Sequence, residues 1–257
     1  MFSSESSFWR DRITASGIHL GISLVVAALA ALLVFGIWYP YPYREISGGR
    51  ELFLLVVAVD VILGPLITLA IFNRAKPWPV LRRDLIVVGV LQLGALAYGL
   101  WTVYVARPVH IVFEYDRFRV VHAIDVPPEL LPKAPKSIDA LPIFGPSSLS
   151  LRPFLDESEK MEATVAAIQG VSLSSRPDLW QTYEAGKPDA LKVAKPTALL
   201  KARFADQSKD IDAVLTKVSR TAENTVFVPM VGRKSFWTVF LDPQTAEIVA
   251  YMPLDSF

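Results

Sequence analysis

Three long apolar runs dominate the first 105 positions, and a different pattern follows them. Gly17–Tyr39 reads GIHLGISLVVAALAALLVFGIWY, Leu52–Phe72 reads LFLLVVAVDVILGPLITLAIF, and Leu85–Val105 reads LIVVGVLQLGALAYGLWTVYV. A helix needs about 20 such residues to cross a hydrocarbon core of about 30 Å. In lipid every peptide group must find its partner inside the segment, so each run is expected as a transmembrane helix. The first run is too long for a signal peptide, and WYPYPYRE follows it in place of a small-residue cleavage site, so it is expected to be retained. Trp38, Tyr39, Tyr41 and Tyr43 read as an aromatic belt at the membrane surface.

Beyond residue 105 the apolar positions come in short groups. HIVFEY (110–115) and FRVVHAI (118–124) are β-branched and aromatic runs that read as strands. Residues 126–153 carry seven prolines, which argues against a regular helix or a central strand there. DESEKMEATVAAIQG (156–170) opens on acids, places apolar residues at Met161, Val165 and Ile168, and stops at Gly170, the signature of an amphipathic helix. PDLWQTYEA (177–185) suggests a short helix stopped by Gly186, and Lys209–Ser219 another. TVFVPMV (225–231), SFWTVFL (235–241) and AEIVAYM (246–252) are strand runs joined by turn residues, which predicts an antiparallel meander backed by helices. The expected architecture is a tail (1–16), a three-helix transmembrane region (17–105), and an α+β soluble domain (106–257) that folds by itself.

Charge adds an orientation. Arg10 and Arg12 precede the first run, and Arg74, Lys76, Arg82 and Arg83 lie between the second and third. The 40–51 loop holds only Arg44 and Arg50. The positive-inside rule then places the N-terminus and the 73–84 loop in the cytoplasm and the C-terminal domain in the periplasm. The whole chain has 26 basic against 25 acidic residues, a balance that gives no argument for a nucleic-acid partner. There is no cysteine and there are three histidines, so thiol chemistry is excluded and a histidine-rich metal site is not expected. No phosphate-binding glycine loop, nucleophile elbow or metalloprotease helix is present in the sequence. No cofactor and no enzymatic activity are expected. His110 and His122 sit in predicted strands and read as packing residues, and the acids at 156–162 as a helix start that complements the dipole.

The membrane region holds the candidate chemistry. Asp60 lies ~12 Å below the outer boundary at 1.5 Å per residue, and Gln92 ~11 Å from the inner one, so the two fall within ~7 Å in depth. A carboxylate there costs ~2.5–3.5 kcal/mol on insertion scales. Pro65 cannot donate to the carbonyl one turn back, so the second span is expected to kink. His19 and Thr68 form a second polar pair near the inner boundary. Gly94, Tyr98 and Gly99 mark a face of the third span where another helix can approach closely. These residues either hold the three helices together or receive a polar group from a partner helix.

The runs VDVILGPLITLAIF (59–72), LQLGALAYGL (91–100) and ARPVHIVFEYDRFRVV (106–121) resemble the type IV pilin accessory proteins of the TfpX/TfpZ family. GIHLGISL (17–24), WYPYPY (38–43) and LDPQTAEIVAYMPLD (241–255) are similar too, while 126–220 match loosely. The resemblance implies a non-enzymatic bacterial inner-membrane protein that assists its cognate major pilin in pilus biogenesis. The partners it implies are that pilin and the lipid bilayer. A competing reading is a membrane-anchored periplasmic sensor or signalling subunit, although the cytoplasmic segments leave no room for an output domain.

Overall fold

The computed structural model describes residues 2–257, with side chains from Phe8 onward. Helix α1 (Phe2–Leu33) runs on into a π-helical turn, Val34–Trp38. After the short α2 (Tyr43–Ile46), α3 (Gly49–Ala58) leads through a second π-turn (Val59–Leu63) into α4 (Gly64–Ile71). A long α5 (Trp78–Val105) completes the apolar part. Among the described residues, three continuous helical stretches are long and apolar enough to cross a membrane: Phe8–Trp38, Gly49–Ile71 and Trp78–Val105. Helix α1 starts near the chain's beginning, so residues expected as a tail are helical. The third helix likewise begins seven positions before Leu85, because Trp78 and Pro79 suit a helix start and Arg82, Arg83 and Asp84 tolerate a helical turn.

The chain divides into two compact units. One combines residues up to Ile37 with Gly49–Val105; the other combines Trp38–Gly48 with Ala106–Phe257. Within the first unit α1 packs on α4, and α3 on α5. Its outward positions are large apolar residues, among them Leu29, Leu55, Leu91 and Leu93. Water disfavours such a surface, and lipid accepts it.

The second unit is built on a mixed sheet, eight-stranded among the described residues. Its strands are β1 (Pro108–Glu114), β2 (Arg117–His122), β3 (Ser147–Leu151), β4 (Trp180–Thr182), β5 (Lys195–Pro196), β6 (Val226–Val231), β7 (Phe236–Leu241) and β8 (Ile248–Met252). The order is β4-β3-β1-β2-β6-β7-β8, with β5 on β6. The expected meander is there as β6-β7-β8. The whole sheet is mixed, because β3 runs parallel to β1 and β6 parallel to β2.

Alternation along these strands buries both faces. Ile111, Phe113, Phe118, Val120, Val228, Met230, Trp237, Val239 and Leu241 face one core, which α7 (Tyr183–Val193) covers with Tyr183 and Ala190. On the opposite face Phe227, Phe240 and Met252 pack against α8 (Thr197–Arg203) and α9 (Ser208–Thr216) through Leu200, Ile211 and Leu215. Val109, Val112, Val121, Leu149 and Trp180 form a third cluster under the proline-rich stretch.

Four sequence expectations change here. The aromatic belt does not hold at two of its four positions: Tyr39 and Tyr43 are buried, and Tyr43 belongs with Ile46 to the principal core of the second unit, while Tyr41 stays 55% exposed. The main-chain N–H of Lys234 donates to the carbonyl of Ile46 at 3.1 Å, and the Tyr43 ring meets Tyr251 edge-on at 6.2 Å. The soluble unit is therefore assembled from two segments. Second, the proline-rich stretch contributes a strand inside the sheet, because Ser147–Leu151 falls between Pro146 and Pro153 and donates its ladder bonds freely. Third, α7 passes through Gly186 and Pro188 without stopping. A side chain at Gly186 would collide with Ser150, so the glycine serves the close approach of the helix to β3. Fourth, α6 (Glu157–Ile168) turns Ala163 inward and leaves Met161, Val165 and Ile168 exposed.

Candidate functional site

The site candidates in the membrane unit follow from one proline. In a π-turn an N–H serves the carbonyl five residues back. Pro65 has no N–H, and five residues back is Asp60. The amide Nε2 of Gln92, on α5, donates to that carbonyl at 3.3 Å and to Asp60 Oδ1 at 3.1 Å. One side chain thus satisfies a main-chain group orphaned by proline and half of an intramembrane carboxylate. Such bonds between helices contribute ~0.6–2 kcal/mol each. The approach depends on Gly64: a Cβ there would collide with Gln92 Nε2 and lie 2.8 Å from its Cδ. Gly64 is a close-packing position that the sequence pattern does not reveal, although its place beside Pro65 is the signal that a helix is distorted at that point.

Asp60 is half-buried and borders a groove of about 310 Å³ between α3 and α5, together with Leu55, Val56, Val59, Tyr98, Gly99 and Thr102. Among the described residues its Oδ2 has no donor. Gly99 lies directly under Val56, whose methyl carbons would be 2.6 and 2.7 Å from a Cβ there, so this glycine closes the α3–α5 contact within the chain. Gly94 meets open space and Tyr98 is 74% exposed, which leaves those two on the outer face.

Nearer the other end of the helices, His19 Nδ1 and Thr68 Oγ1 are 2.5 Å apart, and Ser16 Oγ donates to the Pro65 carbonyl at 2.9 Å. Both bonds tie α1 to α4. His19 and Thr68 also border a groove of about 500 Å³ with Thr14, Ile18, Ile22 and Phe72. Lys76 bridges to Asp84 at 2.7 Å, which fixes the turn between the second and third helices.

In the soluble unit the titratable side chains serve packing and capping. His110 is fully buried, with Nδ1 2.7 Å from Ser147 Oγ, Nε2 3.1 Å from the Ala140 carbonyl, and its ring against Trp180. Burial lowers its pKa to about 4, against the pull of the Ala140 hydrogen bond and the Asp139 charge. His122 is shifted the same way by burial and bonds Asp125 through Nδ1 at 3.1 Å. In the acidic helix start, Asp156 caps α6 by accepting from Glu159 N, and Glu159 takes a bidentate bond from Arg152 at 2.6 and 2.9 Å. That guanidinium, followed by the Leu155 N–H, holds the Glu159 carboxyl down at about 2. Glu162 pairs with the buried Arg176 at 3.0 Å. Among the described residues no group of three or more His, Cys, Asp or Glu converges as metal ligands.

The chain is 37% identical over 245 residues to "Fimbrial assembly protein, serogroup I" of Dichelobacter nodosus, an alignment covering 94% of this chain and 95% of the relative. It belongs to the fimbrial assembly protein family. The serogroup E1 protein of the same organism is 35% identical over 244 residues, again 94% of this chain and 95% of that one. The protein of serogroups C1 and C2 is 43% identical over 119 residues, 46% of this chain and 91% of its own length. The sequence model of the family described as "Fimbrial assembly protein FimB" matches residues 7–48. That stretch holds α1 from residue 7 onward and the whole Trp38–Gly48 segment of the soluble unit. No solved structure matches the chain significantly.

Proposed function

We infer that this protein is a non-enzymatic inner-membrane factor that binds a type IV pilin before polymerisation and assists its entry into the fimbrium. The observation that carries this reading is the end-to-end similarity to proteins named for fimbrial assembly. The resemblance to pilin accessory proteins of the TfpX/TfpZ type points the same way. A pilin awaiting assembly has an apolar helix in the membrane and a soluble head outside it. Three apolar helices joined to a mixed-sheet unit offer a complementary element for each part. The basic residues at 10, 12, 74, 76, 82 and 83 favour a cytoplasmic N-terminus and a periplasmic sheet unit. With three crossings, the segment between the first two helices reaches the same side as the C-terminal region. The joint folding of Trp38–Gly48 with Ala106–Phe257 fits that arrangement.

The test is co-purification. The full-length tagged chain, expressed with the major pilin of its own genome and extracted in mild detergent, should retain that pilin and not an unrelated single-span protein. Recovery of intact chain without pilin would refute the reading.

A further inference from the structure

We propose that two adjoining cavities of the membrane unit bind one anionic phospholipid, its phosphate against Arg12 and Arg74 and an acyl chain along α1. The inference is independent of the pilin reading, since it concerns a lipid and needs only that the apolar helices cross a membrane.

The headgroup chemistry comes from two arginines. A cavity of about 220 Å³ is bordered by Asp11, Arg12, Phe72, Asn73 and Arg74. The Arg12 guanidinium lies 4.3 Å from the Phe8 ring centroid, and its Nε is buried with no hydrogen-bond partner among the described residues. Arg74 reaches Asp11 Oδ1 at 3.4 Å, and its side chain is 77% exposed. Guanidinium groups stay charged in proteins and grip phosphate through parallel N–H bonds. Counting Asp11 as an anion still leaves one positive charge in excess, which the single negative charge of a phosphodiester cancels.

The acyl path comes from the neighbouring groove of about 500 Å³, which shares Asp11, Phe72 and Arg74 with the first cavity. From Asp11 it follows α1 past Ile18 to Ile22, ~16 Å at 1.5 Å per residue, with Leu85 also on its wall. Its other polar side chains are satisfied inside the chain: Thr14 Oγ1 donates to the Arg10 carbonyl at 2.8 Å, and His19 and Thr68 pair with each other. An occupant therefore meets an apolar wall with guanidinium groups at one end. A soluble anion would leave the wall bare, and an apolar helix would leave the arginines without an anion. A zwitterionic headgroup would bring its own cation towards them. Basic pockets between membrane helices hold anionic headgroups by this chemistry.

The full-length chain, purified in neutral detergent, is titrated with phosphatidylglycerol, phosphatidylcholine or inorganic phosphate, and thermal unfolding is followed by circular dichroism. Phosphatidylglycerol should raise the melting temperature saturably, because a ligand that binds the folded state stabilises it. The other two should not, and native mass spectrometry should show one phosphatidylglycerol retained per chain. Arg12→Gln combined with Arg74→Gln should abolish the shift. Arg82→Gln combined with Arg83→Gln removes the same charge, borders neither cavity, and should keep it. Arg74→Gln alone, at an exposed side chain that folding does not need, should weaken phosphatidylglycerol binding about tenfold, a change of ~1.4 kcal/mol. Equal stabilisation by phosphatidylcholine or by inorganic phosphate would overturn the proposal. So would equal losses in both double variants, unweakened binding in Arg74→Gln, or neither stabilisation by phosphatidylglycerol nor its retention.

Discussion

Gly64→Ala should loosen the membrane unit through Gln92. The new methyl group would occupy the place of Gln92 Nε2, and the amide must swing away from both Asp60 oxygens. Two interhelical bonds at ~0.6–1.7 kcal/mol each put the loss at about 1–3 kcal/mol. Alanine recovers about 0.5–1 kcal/mol of that through its better helix propensity. The net destabilisation is then about 0–2.5 kcal/mol, centred near 1. Unfolding of the full-length chain in mild detergent, titrated with dodecyl sulfate and followed by circular dichroism, measures it. A double-mutant cycle with Gln92→Ala isolates the cause, because contacting residues couple and independent ones add. In the Gln92→Ala background the Gly64→Ala penalty should vanish or change sign. An equal penalty in both backgrounds would show that Gly64 does not exist to admit Gln92.

Four further outcomes follow from the soluble unit and the helix flanks. Ile46→Ala, which truncates a fully buried side chain, should cost about 2–5 kcal/mol and lower the melting temperature of the sheet unit; an unchanged melt would mean that the 38–48 segment is not part of its core. Residues 107–257 expressed alone should melt below the same unit supplied with 38–48. A buried His110 binds its proton only after unfolding, so its contribution to stability should fall as pH drops from about 6.5 to about 4 and stay constant below, where the depressed Glu159 carboxyl takes over the pH dependence; a shift from 6.5 to about 4 corresponds to about 3 kcal/mol, and His110→Gln should reduce the slope in that window, leaving the share of His122, in pH-resolved thermal scans. Cysteine placed at Gln244 should react with an impermeant thiol reagent in spheroplasts and cysteine at Ala75 should not; the reverse labelling would invert the orientation.

The helices were legible because run length alone selects them, and β1, β2 and β6–β8 because β-branched and aromatic residues alternate between clear turns. Strand β3 was not, since Ser147–Leu151 is short, serine-rich and enclosed by prolines whose breaking effect ends just outside it. Helix α7 hid behind Gly186 and Pro188, where contact with Ser150 outweighs local propensity. The 38–48 segment carries the composition of an interfacial belt, and only its distant partners Gly232, Lys234 and Tyr251 reveal a core segment. Depth arithmetic brings Asp60 and Gln92 within reach of each other. It says nothing of the π-turn that leaves a carbonyl for Gln92 or of the glycine that lets the amide in.

The two-part origin of the soluble unit also dictates an order of events during synthesis. Tyr43 and Ile46 leave the ribosome early, yet the strands they pack against, β6 to β8, are made only after the second and third helices and the rest of the sheet. Loop closure over that span is slow, because its entropy is lost before any contact compensates it. Until then the apolar stretch at 39–46 stays uncovered beyond the first helix. It can be covered only if the second and third helices insert and bring the C-terminal strands to the same compartment. A chain that misses either insertion keeps an incomplete core, so a correctly threaded membrane region and a stable soluble unit become one cooperative outcome, and misthreaded chains are left open to proteolysis.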